Sequence, residues 1–298
     1  MQANTRILAP EFEYLEPKTI DEALTILDRH QGNSLRVLAG GTDLLVKMKT
    51  GALKPDYLMD VKRIGELRYI VNHTGLRIGA VTPLSWLERS PEVKEVYSAL
   101  YEAVRSMAAP AIRNMGTIGG NLCHASPAAD TAPALIAFGA TCTLSSLHSS
   151  RVVRVEDFFV GPGRTLLAPG EMLTEVQVPP VAPSSGSSFL KMGRVSADIA
   201  KINLAVYIER ESEVCSVCRI ALGSVAEKPI RATNAENLLF GIRPDSGLLR
   251  ETALMVAREI RPITDTRSTA EYRTDICEVM AEEALRAAWT RSGGEWIG

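Results

Sequence analysis

The chain has no segment dense in lysine and arginine, only four histidines, and a formal net charge of -2. That balance excludes the electrostatic footprint of a protein built for DNA, RNA or an anionic membrane surface. Apolar runs long enough to cross a bilayer are absent, and Met1 to Tyr14 carry charges where a leader would be apolar. No membrane span and a cytoplasmic location are therefore expected. Neither Gly-x-x-x-x-Gly-Lys-Ser/Thr nor Gly-x-Gly-x-x-Gly occurs, which removes the two commonest nucleotide loops. His30, His73, His124 and His148 lack metal-ligand spacing, and no Ser/His/Asp or Cys/His arrangement points to a hydrolase. No metal site and no acid–base catalytic residue are expected.

The five cysteines form an odd set without paired spacing, which suits reduced thiols better than a disulfide framework. Cys215 and Cys218 lie in Val214-Cys-Ser-Val-Cys-Arg-Ile-Ala-Leu222, which reads as a strand, where residues three apart face opposite ways. They are two packed thiols or, on the alternative reading, a metal or redox pair. With no second Cys pair, the chain itself is not expected to hold an iron–sulfur cluster.

What is present is ample core material: 46% hydrophobic residues in 298, enough for two or three domains. Thr19-Ile-Asp-Glu22 is a capping box ahead of Ile20, Ala23, Leu24 and Leu27, and Gly32 with Asn33 ends that helix. Leu35–Leu38 and Tyr57–Asp60 read as strands around a short helix to Lys49, capped by Thr42 or Asp43, giving a β-α-β unit. A hairpin is expected over 67–80. Ser90-Pro91 opens a long helix whose buried stripe is Leu100, Ala103, Val104 and Met107. Strands are expected over 141–144 and 151–155. The small-residue stretch from Pro179 to Ser188 reads as a linker at a domain boundary. Beyond it, strands are expected over 189–194, 199–209 and 214–225, then helices from about Gly247 and Ala270. On the last helix Tyr272, Ile276, Val279 and Met280 share a face.

Two glycine pairs carry the chemistry: Ala39-Gly40-Gly41-Thr42-Asp43, and Thr117-Ile118-Gly119-Gly120-Asn121 much later. Paired glycines permit positive φ, let successive N–H groups converge on an anion, and remove side chains that would block its approach. Each pair alone is also what an ordinary turn before a helix looks like. Together, with Asn121 and Asp130 near the second, they point to a dinucleotide with an extended diphosphate. Asp130 has another reading, as the cap of a helix opening at Thr131. Lys191 is either a solvated surface lysine or a cation that folds back over the first domain.

At Leu38-Ala-Gly-Gly-Thr-Asp-Leu44 and Thr117-Ile-Gly-Gly-Asn-Leu-Cys-His-Ala-Ser-Pro-Ala-Ala-Asp130 the sequence resembles the FAD-binding subunit of molybdenum hydroxylases. That group includes the medium subunits of bacterial carbon monoxide dehydrogenase and xanthine dehydrogenase. The likeness continues at Ile112-Arg-Asn114, Gly161-Pro162, Pro169-Gly-Glu-Met-Leu173, Asp198-Ile-Ala200 and Glu271-Tyr-Arg273, and so spans nearly the whole chain.

The resemblance implies an α+β fold. Two subdomains of the vanillyl-alcohol oxidase type, residues 1–60 and 61–178, would bind FAD. A C-terminal antiparallel sheet with helices, 186–298, would follow. It further implies that Val37, Leu38, Ala39, Gly40, Gly41, Thr42, Asp43 and Leu44 wrap the diphosphate. Thr117, Ile118, Gly119, Gly120 and Asn121 would form its second wall. Asp130 would make a polar contact, Leu173 would pack near the cofactor, and Lys191 would reach it from the last domain. Met107 stands where some relatives carry an aromatic residue near the flavin.

The implied partners are a large molybdopterin subunit and a small subunit with two 2Fe-2S clusters, in a dimer of heterotrimers. Electrons would pass from a cluster through FAD to NAD+, a quinone or dioxygen. No cysteine-rich insertion for a 4Fe-4S cluster lies between Ile70 and Ser106. A stand-alone flavin oxidase or dehydrogenase, with His124 or Cys123 as tether, and a cofactor-free assembly protein are the rival readings.

Overall fold

A computed structural model describes residues 11–32 and 34–295. Among the described residues, sheets of three, five and four strands succeed one another along the chain, with a two-stranded ribbon beside the second. The first contains β1 (Glu13–Leu15), β2 (Leu35–Leu38) and β3 (Tyr57–Asp60), all parallel in the order β1-β3-β2, with α1 (Ile20–Arg29) and α2 (Leu44–Lys49) as crossovers. Thr19 caps α1 by accepting the Glu22 N–H at 3.2 Å. The Glu22 carboxylate turns instead to the N–H of Lys18, one residue before the position a capping box uses. Ala23, Leu24 and Leu27 then bury against Met59, Val61 and Ile64. Gly32 adopts φ +87°, while Asn33 lies outside the described residues.

The second sheet is antiparallel, in the order β4-β5-β10-β6-β7: β4 (Ile70–Asn72), β5 (Leu76–Gly79), β6 (Thr141–Ser145), β7 (Ser150–Arg154) and β10 (Met172–Val178). Between β5 and β6 run α3 (Leu84–Arg89), α4 (Pro91–Val96), α5 (Ser98–Ser106), α6 (Pro110–Met115), α7 (Ile118–His124) and α8 (Thr131–Ala137). After β7 come a short α9 (Val155–Phe158) and the ribbon β8 (Phe159–Gly161) with β9 (Arg164–Thr165).

The long helix expected from Pro91 is two helices, because the chain breaks at Tyr97 (φ -114°, ψ 53°). That break drives the Tyr97 ring into the core, 5.4 Å from Phe138, and lets its hydroxyl donate to the Pro179 carbonyl. Burial of one large ring outweighs one lost helical turn. Met107 follows α5 in extended backbone, so it is buried without belonging to the helical stripe.

The third sheet runs β11 (Ser185–Met192), β12 (Ile202–Glu211), β13 (Val214–Gly223) and β14 (Ile230–Arg231), antiparallel in chain order. It is covered by α10 (Thr233–Leu239), α11 (Ser246–Glu259) and α12 (Ala270–Arg291). β11 begins inside the stretch expected to be a linker. Its small residues serve packing: a Cβ on Gly186 would overlap the Ala288 carbonyl, and the Ser188 hydroxyl donates to Ala284 O at 2.7 Å.

The same close approach corrects the buried face of α12. Tyr272 and Val279 are 40% and 60% exposed, while Arg273, Cys277, Ala281, Ala284, Leu285, Ala288 and Trp289 turn inward with Met280. An alanine-rich stripe admits the sheet where Tyr272 and Val279 would hold it off. α10 was not anticipated at all.

Cys215 and Cys218 do not point to opposite faces. The β12–β13 register slips between Glu209 and Arg210, leaving Ser216 as an extra residue, and this bulge returns both thiols to one core. A hydrogen bond with Cys215 and burial push the Cys218 thiol well up. Burial likewise raises Cys142 and Cys277, the latter to about 12.

Arg273 ties this last unit together. Its Nη1 donates to Ser224 O at 2.8 Å and its Nη2 to Asp265 at 2.7 Å. Burial works against the charge on Asp265, but the N–H groups of Arg267 and Ser268 and the Arg273 guanidinium overcome it and bring the pKa down to about 2. A depressed folded pKa gives stability that is present above the unfolded value, about 3.9, and is lost as pH falls toward 2. Arg273→Met is expected to lower the unfolding free energy by about 1.5 kcal/mol at neutral pH, since Asp265 stays partly exposed and keeps its N–H partners. Urea melts should show that difference shrinking between about pH 4 and about pH 2.

Candidate cofactor cradle

β2 is flanked by a parallel partner and delivers the chain at its C-terminal end into Gly40–Gly41. Gly41 sits at φ +75°, which L side chains rarely adopt. Gly40 has no positive φ and is glycine for another reason. A Cβ there would overlap the Met115 carbonyl oxygen and stand 2.8 Å from Gly116 Cα. Two backbones from distant parts of the sequence touch at this point. Among the described residues, no hydrogen bond within the chain engages the N–H groups of Gly40, Gly41 or Thr42. Thr42 and Asp43 do not cap α2 through their side chains. The Thr42 hydroxyl donates to Asp43 Oδ2 at 3.2 Å, and Asp43 Oδ1 lies 3.6 Å from His124 Nε2 on α7.

The second glycine pair is helical. Thr117 caps α7, and Gly119 and Gly120 form its first turn without positive φ. Its donors are already used: Ile118 N–H goes to Thr82 O, Gly119 N–H to Ala80 O, and Gly120 N–H to Thr117 Oγ1. N–H groups free to bind an anion, expected at both pairs, are therefore absent from the second, and the first alone leaves its own uncommitted among the described residues. At the second, glycine provides proximity. A Cβ on Gly119 would lie 2.7 Å from Ala80 O, and one on Gly120 would lie 2.8 Å from Thr117 Oγ1 and 3.8 Å from Ala39 Cβ. Gly120 thus lies beside Ala39, and the two glycine segments border a common site, called the cleft below. Asn121 Oδ1 accepts from Thr131 Oγ1 at 2.6 Å, which leaves the Asn121 amide hydrogens available.

Asp130 occupies the capping position of α8 but makes no side-chain cap bond. Its carboxylate is divided between Lys191 Nζ at 2.7 Å and Asn203 Nδ2 at 2.8 Å. Lys191 also donates to Ser106 O at 3.2 Å, and its side chain is only 6% exposed, so the solvated-lysine reading is wrong. Burial pushes the Asp130 carboxyl up, against the charge and hydrogen bond of Lys191 and the hydrogen bond of Asn203.

Met107 and Leu173 are buried in the same core as Ile118 and Leu122, behind the cleft. Leu38 is buried beneath the first turn, and Val37 and Leu44 are partly exposed beside it. Two contributors were missed. Arg113, salt-bridged to Glu88, holds the carbonyls of Met107 and of Ala108, which sits at φ +43°. Asn203 is fully buried, and its signal was an amide inside the apolar run Ile202–Val206.

Two family models account for almost the whole chain. The FAD binding domain in molybdopterin dehydrogenase matches residues 10–181, and the CO dehydrogenase flavoprotein C-terminal domain matches 187–288. The chain belongs to the FAD-binding medium subunits of the molybdenum hydroxylases. The medium chain of Sulfolobus acidocaldarius glyceraldehyde dehydrogenase is 34% identical, with 93% of this chain and 98% of that one aligned. The carbon monoxide dehydrogenase medium chain of Hydrogenophaga pseudoflava is also 34% identical, over 96% and 99%. A solved structure of that organism's carbon monoxide dehydrogenase, lacking the Mo-pyranopterin moiety, superposes with a TM-score of 0.92 at 35% identity, covering 96% and 99%. Quinoline 2-oxidoreductase from Pseudomonas putida 86 superposes at 0.88 and 28%, covering 95% and 99%.

This flavin subunit is part of an oxidoreductase, and its cofactor is FAD. The residues present fit such a ligand: among the described residues the N–H groups of Gly40, Gly41 and Thr42 are uncommitted, and Gly120 beside Ala39 carries no side chain to block its approach.

Because Gly40 touches backbone, Gly40→Ala is expected to lower the melting temperature of the FAD-free chain by several degrees, about 2 kcal/mol of overpacking. Gly65→Ala, which would meet nothing within 4 Å, should leave it unchanged in the same thermal-shift measurement.

Proposed function

We propose that the cleft between Ala39–Thr42 and Thr117–Asn121 binds the FAD diphosphate, and that the chain is the electron-transfer subunit of a molybdenum hydroxylase complex. One observation supports this above the rest: two segments far apart in sequence meet through glycines, one of them offering free N–H groups. Gly40, Gly41 and Thr42 would hold the anion by backbone donors. Thr117, Gly120 and Asn121 would close the other side, with His124 and Asp43 bridging the rim. Asp130 and Lys191 would meet the cofactor beyond them, Met107 and Leu173 supporting from the core.

FAD, when bound, supplies the redox chemistry: electrons from the 2Fe-2S clusters of a small partner subunit leave for NAD+, a quinone or dioxygen. Substrate oxidation belongs to a large molybdopterin subunit, in a dimer of heterotrimers. Several relatives are named as chains or subunits of dehydrogenases, which supports this arrangement. Five free cysteines accord with a cytoplasmic location.

A stand-alone oxidase is the weaker reading. Its candidate tethers are engaged or inert: His124 faces Asp43, and burial pushes the Cys123 thiol up to about 12. A cofactor-free assembly role leaves the uncommitted donors at Gly40–Thr42 without purpose.

The full chain is expected to bind FAD noncovalently. Gly41→Val forces a β-branched residue to φ +75°, and Gly120→Val fills the cleft toward Ala39, so both should come off purification without flavin absorbance. Full occupancy in both variants would show the cradle to be elsewhere. Lys191→Ala should weaken FAD binding by about tenfold or shift its reduction potential, since a charged hydrogen-bond donor is lost. Lys94→Ala, outside the cleft, should do neither, and matching titrations for the two would remove Lys191 from the site.

A further inference from the structure

Asn203 is fully buried on β12, opposite Lys191 on β11 and Gly223 on β13 in direct register. Directly opposed residues on neighbouring strands project to one face, so Lys191 and Asn203 arrive together beside Asp130 at the start of α8. Each takes one carboxylate oxygen, at 2.7 and 2.8 Å. Gly223 leaves room for the amide, because a Cβ there would overlap Asn203 Oδ1. That oxygen is buried and, among the described residues, has no hydrogen-bond partner. An amide that leaves its acceptor unsatisfied in a core is destabilising there, unless what its N–H does matters more.

We infer that Asn203 is a positioning residue of the cofactor site, acting through Asp130: its amide and Lys191 together clamp the carboxylate against rotation. The inference rests on the cradle reading given above. Each Asp130 oxygen keeps a second lone pair for a donor on the cofactor. The clamp comes from the third sheet, whereas Asp130 belongs to the second unit, so docking of the C-terminal unit sets the orientation of a cofactor-site carboxylate. The groups around it are few. β11 brings the charge of Lys191, α5 the Ser106 carbonyl, β12 the amide and β13 a glycine, while the hydroxyl of Thr131 on α8 is turned to Asn121.

Asn203→Asp tests this. Two carboxylates in hydrogen-bond contact cannot both ionise, but a protonated Asp at 203 can donate to Asp130 as the amide does. FAD affinity of the full chain is measured by flavin fluorescence quenching, and the melting temperature without FAD is followed in parallel. The range is about pH 5.5 to about pH 8.5, chosen to span the shared proton of a carboxylate pair.

The wild type is expected to hold its affinity across that range, and Asn203→Leu to bind about tenfold more weakly throughout. Asn203→Asp should be at least about tenfold weaker at the alkaline end and recover toward wild type at the acid end, its FAD-free melting temperature falling in the same sense. Rescue by acid is a signature that loss of packing would not produce. Wild-type affinity in Asn203→Leu, or a deficit in Asn203→Asp that ignores pH, overturns the inference alone. Failure of the wild-type chain to take up FAD overturns the cradle reading and this inference with it.

Discussion

The cradle depends on a contact between two backbones. Gly40 lies against Met115 and Gly116 so closely that one methyl group would separate them, and everything around the cleft is arranged from that point. β2 and the parallel strand beside it aim the first segment; α6 and the cap at Thr117 aim the second. Since α7 also spends its amide hydrogens on Ala80 and Thr82, it is anchored to the end of β5 and fixed relative to the second sheet. The seam between the two sheets is drawn close by backbone contact, with the Asp43–His124 pair at its rim. The division of labour follows: donors on one side, absence of bulk on the other.

A second constraint acts from the far end of the chain. Lys191 and Asn203 leave the third sheet to hold Asp130, and Lys191 reaches the end of α5 at Ser106. Such a buried ion pair costs desolvation, so it is weak evidence for net stability and better evidence for a single preferred arrangement. Nearby, Arg291 donates to Ser187 O and pairs with Glu102 at 2.6 Å, while Glu102 also accepts the Phe189 N–H. The third unit is therefore docked on α5 by polar contacts of defined geometry. Two apolar patches could slide where these cannot.

Much of this was legible in the sequence, and the parts that were not share a cause. Helices with caps and periodic faces, such as α1 and α11, announce themselves because local chemistry starts and stops them. The glycine pairs stood out for the same reason. Their roles were only half readable, because a glycine needed for φ and a glycine needed for contact look alike until the neighbour is known: Gly41 is the first kind, Gly40 and Gly119 the second. Tyr97, Ser216 and the alanine stripe of α12 failed similarly. A broken helix, a bulge and a rotated face are each decided by what lies across the core. Asn203 left a faint mark, a polar residue where an apolar strand had no use for one.

Sulfur is the side-chain atom that oxidants such as hydrogen peroxide attack first when it is ionised. Here burial pushes the thiols of Cys123, Cys142 and Cys277 up, and a hydrogen bond with Cys215 together with burial does so for Cys218. Cys142, Cys218 and Cys277 are also enclosed, and a neutral thiol is a poor nucleophile. Packing thus keeps sulfur chemically quiet in a subunit whose cofactor is redox-active.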